Sequence, residues 1–250
     1  MTITAEQVRS LIVAHDAARP RSQQTRLGPS DLSSPCARKI GYGLLQVPAV
    51  VPNDVSLYAY VGTGLHRQLE DACKAAGPRW STEKRVSVPI NDTVTVTGHL
   101  DAYDHDTKTV IDWKSRGANK PSQATRDKHH QQLGWYGLGA ILAGLVVDHL
   151  AIVYIPRNGT LADIEVDARP VDMPAIEAQI RRYESLLAAT AAGPAVLPML
   201  PTEHDCKFCR WWAPGHDDLT TGCPGQPATS TTDLPPWEPG ISIQRESASA

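Results

Sequence analysis

Residues 98–114 read GHLDAYDHDTKTVIDWK. Apolar and polar residues alternate on both sides of a polar centre, which is the pattern of two strands joined by a tight turn. A two-residue loop at Asp106 and Thr107 pairs Asp101 directly with Asp112 and brings their Cβ atoms to roughly 5 Å. A register shifted by two keeps both on one face but not opposite. At period two, Val94, Val96, Gly98, Leu100 and Ala102 share one face, and Thr97, His99, Asp101 and Tyr103 share the more polar one. In the second strand Asp112 and Lys114 share a face with Val110, while Ile111 and Trp113 point the other way. Two carboxylates this close repel unless a cation lies between them. A divalent ion relieves that repulsion and Lys114 adds a second positive charge, a grouping suited to metal-assisted cleavage of a phosphodiester. The plainer reading is a polar sheet face with a surface Asp–Lys pair. Against it, the carboxylates fall inside an otherwise β-branched hairpin and not at its tip.

Residues 125–144 form a helix containing HHQQLGWYGLGAILAG, in which Gln132 and Tyr136 are one turn apart and project together. Gly134, Gly137 and Gly139 each cost about 1 kcal/mol relative to alanine in a helix interior. That cost predicts close packing against something flat, most simply the sheet carrying Asp101 and Asp112. His129 and His130 are adjacent and do not converge, so they read as solvated or facing nucleic acid. Upstream, residues 54–76 form a helix expected to break or bend near Gly62 and Gly64, with His66 and Glu70 on one face. A lone helical histidine is usually structural or solvated, and Cys73 reads as core packing. Strands over 79–89, 92–104, 149–156 and 160–166 and a helix over 173–192 complete an order that indicates an α/β or α+β core with a mixed sheet. A short amphipathic helix over 5–18 and a basic loop precede it.

The 250 residues are 41% hydrophobic, enough for one large core, and the formal net charge is −3. Positive charge is concentrated: Arg19, Arg21, Arg26, Arg38 and Lys39 in one segment, Lys114, Arg116, Lys120, Arg126 and Lys128 in another. No apolar run spans a bilayer and the N-terminus lacks a secretory pattern, so a soluble cytoplasmic protein is expected. Cys36 begins a helix with Arg38 and Lys39 just after it, which favours a thiolate, although a small buried hydrophobe is the plainer reading. Cys206 and Cys209 form a CxxC, and Cys223 follows thirteen residues later. Cys36 can supply a fourth ligand from across the fold, and four thiolates suit zinc or an iron–sulfur cluster. His204 and His216 keep a mixed Cys/His zinc site open. From residue 226 onward the composition predicts a disordered tail, with Trp237 in a weak partner-binding motif.

Taken in order, Cys36 with Arg38 and Lys39, Gly64 with His66, Gly98 with Asp101, Asp112 with Lys114, Gln132 with Tyr136 and the C-terminal cysteines resemble the PD-(D/E)XK nuclease superfamily. The likeness is to its RecB-like branch and the CRISPR-associated iron–sulfur exonucleases, whose relatives occur in phages. The resemblance implies an α/β, restriction-endonuclease-like core: a central mixed β-sheet flanked by helices, over residues 31–200, after an N-terminal segment of 1–30. A cysteine segment of 201–225 then joins the chain ends. It implies that His66, Asp101, Asp112 and the Trp113 carbonyl ligate one or two Mg2+ or Mn2+ ions. Lys114 would position the attacking water, and Gln132 and Tyr136 would support the site. Cys36, Cys206, Cys209 and Cys223 would hold a 4Fe–4S cluster, with Zn2+ as the alternative. The basic residues Arg38, Lys39, Arg116, Lys120, Arg126 and Lys128 would hold a DNA backbone without reading sequence. The activity implied is a metal-dependent DNA exonuclease working on single strands or ends, with recombination, repair or CRISPR-adaptation proteins as partners. A non-catalytic, zinc-containing DNA-binding adaptor on the same scaffold is the competing reading, and an RNA-processing enzyme a third.

Overall fold

The predicted hairpin is β2 (Thr95–Asp104) and β3 (Thr109–Arg116) in a computed structural model that describes residues 2–18, 26–50, 56–203, 206 and 209–225. Arg19, Arg21, His204, Trp237 and the expected disordered tail lie outside the described residues. The strands are antiparallel with Ala102 opposite Ile111 and Asp104 opposite Thr109, which is the register that sets Asp101 against Asp112. The loop is longer than expected, residues 105–108, but has the same centre. Asp104 explains the difference. Its carboxylate accepts from Arg79 Nε at 2.8 Å, Arg79 Nη2 at 2.7 Å, Asp106 N at 3.0 Å and Thr107 Oγ1 at 2.8 Å. With the turn's donors so engaged, residues 105 and 108 need not pair, and Lys108 closes the loop at φ 50°.

β1 (Trp80–Pro89) pairs antiparallel with β2, β3 pairs parallel with β4 (His149–Pro156), and β4 pairs antiparallel with β5 (Glu165–Pro170). The sheet order is β1-β2-β3-β4-β5. A parallel β3–β4 pair needs a crossover, and α5 (Gln123–Leu142) supplies it. α5 lies on the sheet as its glycines demand. A Cβ on Gly137 would stand 2.6 Å from Leu150 Cδ2, and one on Gly139 would stand 2.8 Å from Val86 Cβ. Gly134 faces Ile176 of α6 (Met173–Thr190) instead, so α5 is buried on two sides.

The opposite face of the sheet is covered by α4 (Leu57–Ala75), one continuous helix with no break at Gly62 or Gly64. Cys73 and Leu69 of α4 pack on Ala102, Ile111, Trp113, Ala151 and Val153. Under α5, Val86, Leu100, Tyr103, Val110, Leu133 and Ile152 form a second cluster. The strict alternation expected along β2 therefore fails between Leu100 and Ala102, which lie in different layers, and Tyr103 is buried, not polar-facing. The cause is local. Pairing runs through Thr82–Ala102 and Lys84–Leu100 but skips the pair between them, Glu83 and Asp101, and Glu83 has φ 49°.

Three other expectations shift. The strand anticipated over 160–166 begins at Glu165, because Asp163 Oδ2 accepts from Thr160 N and Oγ1, both at 2.8 Å, and closes a 3-10 turn first. α1 (Ala5–Ala17) forms but buries no residue. Cys36 precedes α3 (Ala37–Leu44) as its N-cap and is not within the helix. A short α2 (Pro29–Leu32), α3, α6 and the C-terminal segment share a third cluster that includes Ile40, Tyr42, Tyr183 and Trp211. Tyr42 stacks on Trp211 with ring centroids 5.5 Å apart and donates to the Gly222 carbonyl at 3.0 Å. That contact seats the C-terminal segment on α3. Among the described residues no helix is long and apolar enough to cross a membrane.

Candidate active site

Asp112 sits in the middle of β3, between β2 and β4, and is only 3% exposed. Gln132 Nε2 of α5 donates to its Oδ1 at 3.4 Å. Lys114 Nζ lies 2.8 Å from Oδ2 in an ion pair, and no other described donor reaches that buried oxygen. Lys114 donates to Gln132 Oε1 at 3.0 Å, and Gln132 Nε2 lies 3.5 Å from Tyr136 Oη. Gly98 is what admits Tyr136: a Cβ there would stand 2.6 Å from the ring's Cε1. Burial pushes the Asp112 pKa up, Lys114 pulls against it, and the Asp101 charge adds to it.

Asp101 occupies the skipped pair in β2. Its Oδ2 accepts from Trp113 N at 2.7 Å, a β3 donor beyond the last β2–β3 pair at Ala102 and Ile111, and its Oδ1 is 3.3 Å from His66 Nδ1. For His66 burial is the largest single influence and acts to lower the pKa. The Asp101 hydrogen bond and the Asp101 and Asp112 charges together outweigh it, and the net shift is upward. The structure thus brings His66, Asp101, Asp112, Lys114, Gln132 and Tyr136 together from four elements, with Trp113 between the two catalytic-type side chains of β3. Among the described residues no three His, Cys, Asp or Glu side chains are placed so that they could hold one ion. The donor chemistry nevertheless suits a hard divalent cation: carboxylate oxygens, one of them buried against the Lys114 ammonium, and one imidazole nitrogen.

A third carboxylate, Glu83, carries no motif and escaped sequence reading. It occupies the ladder position across from Asp101, and burial followed by the charges of Asp101 and Glu70 pushes its pKa up. The histidine pair also behaves differently from expectation. His129 Nδ1 is 3.0 Å from Tyr154 Oη, and burial, with Lys114 and Lys128 nearby, lowers its pKa to about 3. His130 Nε2 is 3.2 Å from Asp167 Oδ1. Both are half-buried and have partners on β4 and β5, and His129 also lines the cavity described below.

Several basic residues expected to face DNA have internal partners instead. Arg38 Nε and Nη2 donate to the carbonyls of Leu197 and Pro198 at 2.9 and 3.2 Å. Arg116 donates to the carbonyls of Gly117, Ala118 and Asp163. Arg126 pairs with Glu165 at 2.6 Å and lies over the Tyr154 ring. Guanidinium groups seek planar acceptors, and loop carbonyls left without strand partners provide them. Lys120 is 3.6 Å from Glu165 Oε2 on the surface. Lys39 and Lys128 line a cavity of about 600 Å³.

The same cavity is lined by Cys36, Cys206, Cys209 and Cys223, none of them in a disulfide. Cys36 Sγ accepts from Lys39 N at 3.4 Å, and Arg38 Nη1 is 3.9 Å from Cys223 Sγ. Burial pushes the Cys209 thiol pKa up, opposed by a Trp211 backbone hydrogen bond. Four sulfur donors from opposite ends of the chain around one cavity suit a soft metal site in their chemistry.

A five-stranded mixed sheet between α4 and α5, carrying two carboxylates and a lysine on adjacent strands, defines a restriction-endonuclease-like α/β core. The chain belongs to the PD-(D/E)XK nuclease superfamily, whose profile matches residues 43–213. That span includes the whole site together with Cys206 and Cys209, and leaves Cys36 and Cys223 outside. No curated protein matches the chain. Among solved structures, SSO0001 is similar with a TM-score of 0.56 and 19% identity, over 84% of this chain and 95% of that one, a likeness of fold. An alkaline exonuclease (LHK-Exo) from Laribacter hongkongensis has a TM-score of 0.48 and 11% identity, over 72% of this chain and 94% of its own. A phage related exonuclease from Haemophilus somnus 129PT has a TM-score of 0.43 and 12% identity, over 62% and 81%.

Proposed function

We propose that this nuclease is a metal-dependent DNA exonuclease acting on single strands or DNA ends, in recombination, repair or CRISPR-adaptation-like processing. The observation that carries the reading is Asp112, a buried carboxylate whose Oδ2 meets only the Lys114 ammonium, set beside Asp101 and His66. His66, Asp101, Asp112 and the Trp113 carbonyl would hold Mg2+ or Mn2+, one ion or two, which supplies Lewis-acid polarisation of the phosphate. Lys114, only 2.8 Å from Asp112, balances the carboxylate charge and would orient the attacking water and face the phosphate. Gln132 holds the ammonium at 3.0 Å, and Tyr136 backs Gln132. Lys39 and Lys128, which line the cysteine cavity, and the surface residue Lys120 would contact the DNA backbone together with Arg38, Arg116 and Arg126.

Cys36, Cys206, Cys209 and Cys223 would hold a 4Fe–4S cluster, or Zn2+ in its place, that ties the C-terminal segment to α3. Exonuclease character rests on the ordered signatures from Cys36 to Cys223. The test is incubation of end-labelled single- and double-stranded DNA with Mg2+ or Mn2+. Progressive release of short products supports the reading, internal cuts alone make it an endonuclease, and intact DNA under both metals overturns it. Anaerobically purified protein is expected to be brown, and colourless protein containing zinc replaces the cluster assignment.

A further inference from the structure

Along α4, residues 58, 62 and 66 follow one another at four-residue steps and so lie near one helix face. His66 ends that row at Asp101. Gly62 lies against Ser115, the residue after Lys114, where a Cβ would stand 3.1 Å from Ser115 Oγ. Tyr58 begins the row with 72% of its surface exposed, an unusual setting for a ring so near a buried site. The guanidinium of Arg157 lies over this ring at 4.8 Å. Arg157 follows the end of β4, its N–H donates to the Arg116 carbonyl at 2.9 Å, and its Nη1 donates to Ser115 Oγ at 3.1 Å. Ser115 is the only hydrogen-bond partner of that side chain among the described residues, and no carboxylate pairs with it there. This sets it apart from Arg126, which pairs with Glu165 and lies 3.7 Å from Asp167, and from Arg38 and Arg116, which donate to several backbone carbonyls.

We infer that Tyr58 and Arg157 form a binding platform for the substrate strand, with Tyr58 stacking on a base and Arg157 holding the adjoining phosphate. The inference rests on the nuclease reading of the His66–Asp101–Asp112 site. Eight helical residues separate Tyr58 from His66, about 12 Å at 1.5 Å per residue. At a stacked rise of about 3.4 Å per base in one strand, that places the platform about three to four nucleotides from the reacting phosphate. Base–aromatic stacking is tolerant of sequence, as a degrading enzyme requires, and a guanidinium with spare donors suits a phosphate. Ser115 links platform to site, since it touches Arg157 and adjoins Lys114.

The test uses the full chain carrying Asp112→Ala, so that DNA is bound but not cut, and a single-stranded oligonucleotide with 2-aminopurine at successive positions. Tyr58→Ala is expected to weaken binding about 5- to 150-fold, the fold-change given by ~1–3 kcal/mol of stacking. Tyr58→Trp should restore it and quench the probe at one position. Arg157→Ala should reduce the dependence of log affinity on log salt by about 0.7, one phosphate contact on a single strand. A surface tether that merely anchors α4 would leave quenching and salt slope unchanged. If Tyr58→Ala loses helical circular dichroism, Tyr58→Leu carries the same comparison. Affinity within twofold for the folded variant together with an unchanged salt slope overturns the platform. Failure of the nuclease reading shows separately, as wild-type protein that leaves DNA intact with Mg2+ and Mn2+. Wild-type protein that degrades DNA with a KM unaltered by Tyr58→Ala overturns the platform alone.

Discussion

Asp104→Asn tests the physical link between the turn and the site. Asp104 is 3% exposed and accepts four hydrogen bonds, two of them from the Arg79 guanidinium. They fix residues 105–108, and thereby the register that places Asp101 against Asp112. An amide keeps one acceptor oxygen and turns an NH2 group toward donors. The loss of hydrogen bonds to a charged group is worth roughly 1.5–3 kcal/mol. Arg79 is half exposed at 46% and can be solvated when released, so we expect a cost of about 2 kcal/mol, below that of breaking a fully buried pair. For a domain of this size that is a fall in Tm of about 4–8 °C.

The Arg79 hydrogen bonds, with those of Thr107 and Asp106, hold the Asp104 carboxyl well below the usual carboxylate range. A carboxyl depressed on folding contributes stability that is present above its unfolded pKa of about 3.9 and lost as pH falls through the folded value. The gap between wild type and Asp104→Asn should therefore be full at pH 7 and narrow below pH about 4. Urea unfolding followed by circular dichroism at pH 7, 5 and 3 measures it. A variant as stable as wild type at pH 7, or a gap that widens on acidification, refutes the reasoning.

Gly98→Ala drives a methyl to 2.6 Å from Tyr136 Cε1 and 3.2 Å from Pro29 Cγ, and should cost about 1–3 kcal/mol by thermal melting. Gln132→Leu removes the acceptor of Lys114 while keeping bulk, and should lower the DNA cleavage rate by about 10–100-fold, the usual range for a supporting residue, with little change in Tm. Cys223→Ala, which removes one of the four thiols around the cavity, should abolish the visible chromophore of anaerobically purified protein. A spectrum identical to wild type removes Cys223 from the ligand set.

Alternation of residue type made the hairpin and its register legible, because Asp104, Asp106 and Thr107 carry their turn chemistry locally. The change of face at Asp101 was not legible, since it coincides with a skipped pair opposite Glu83, which comes from another strand and has φ 49°. The glycines of α5 announced its close packing, yet Gly62 wrongly suggested a broken α4. There glycine serves approach to Ser115, and the helix runs on. Strand β5 begins late because a capped 3-10 turn competes with the apolar pattern of residues 160–166. For the basic residues, sequence shows the charge but not the acceptors. Those of Arg38 lie about 160 residues away, at Leu197 and Pro198. The grouping of His66 with Asp101 came through family resemblance, as nothing in a single helix reveals which strand will face it.

The most direct test of the central claim is Mn2+-dependent degradation of end-labelled DNA by wild type, Asp112→Ala and Lys114→Ala, each checked for folding by circular dichroism. The account predicts degradation by wild type, its abolition in both variants and an unchanged fold. Full activity in either variant, or none in the wild type, would contradict it.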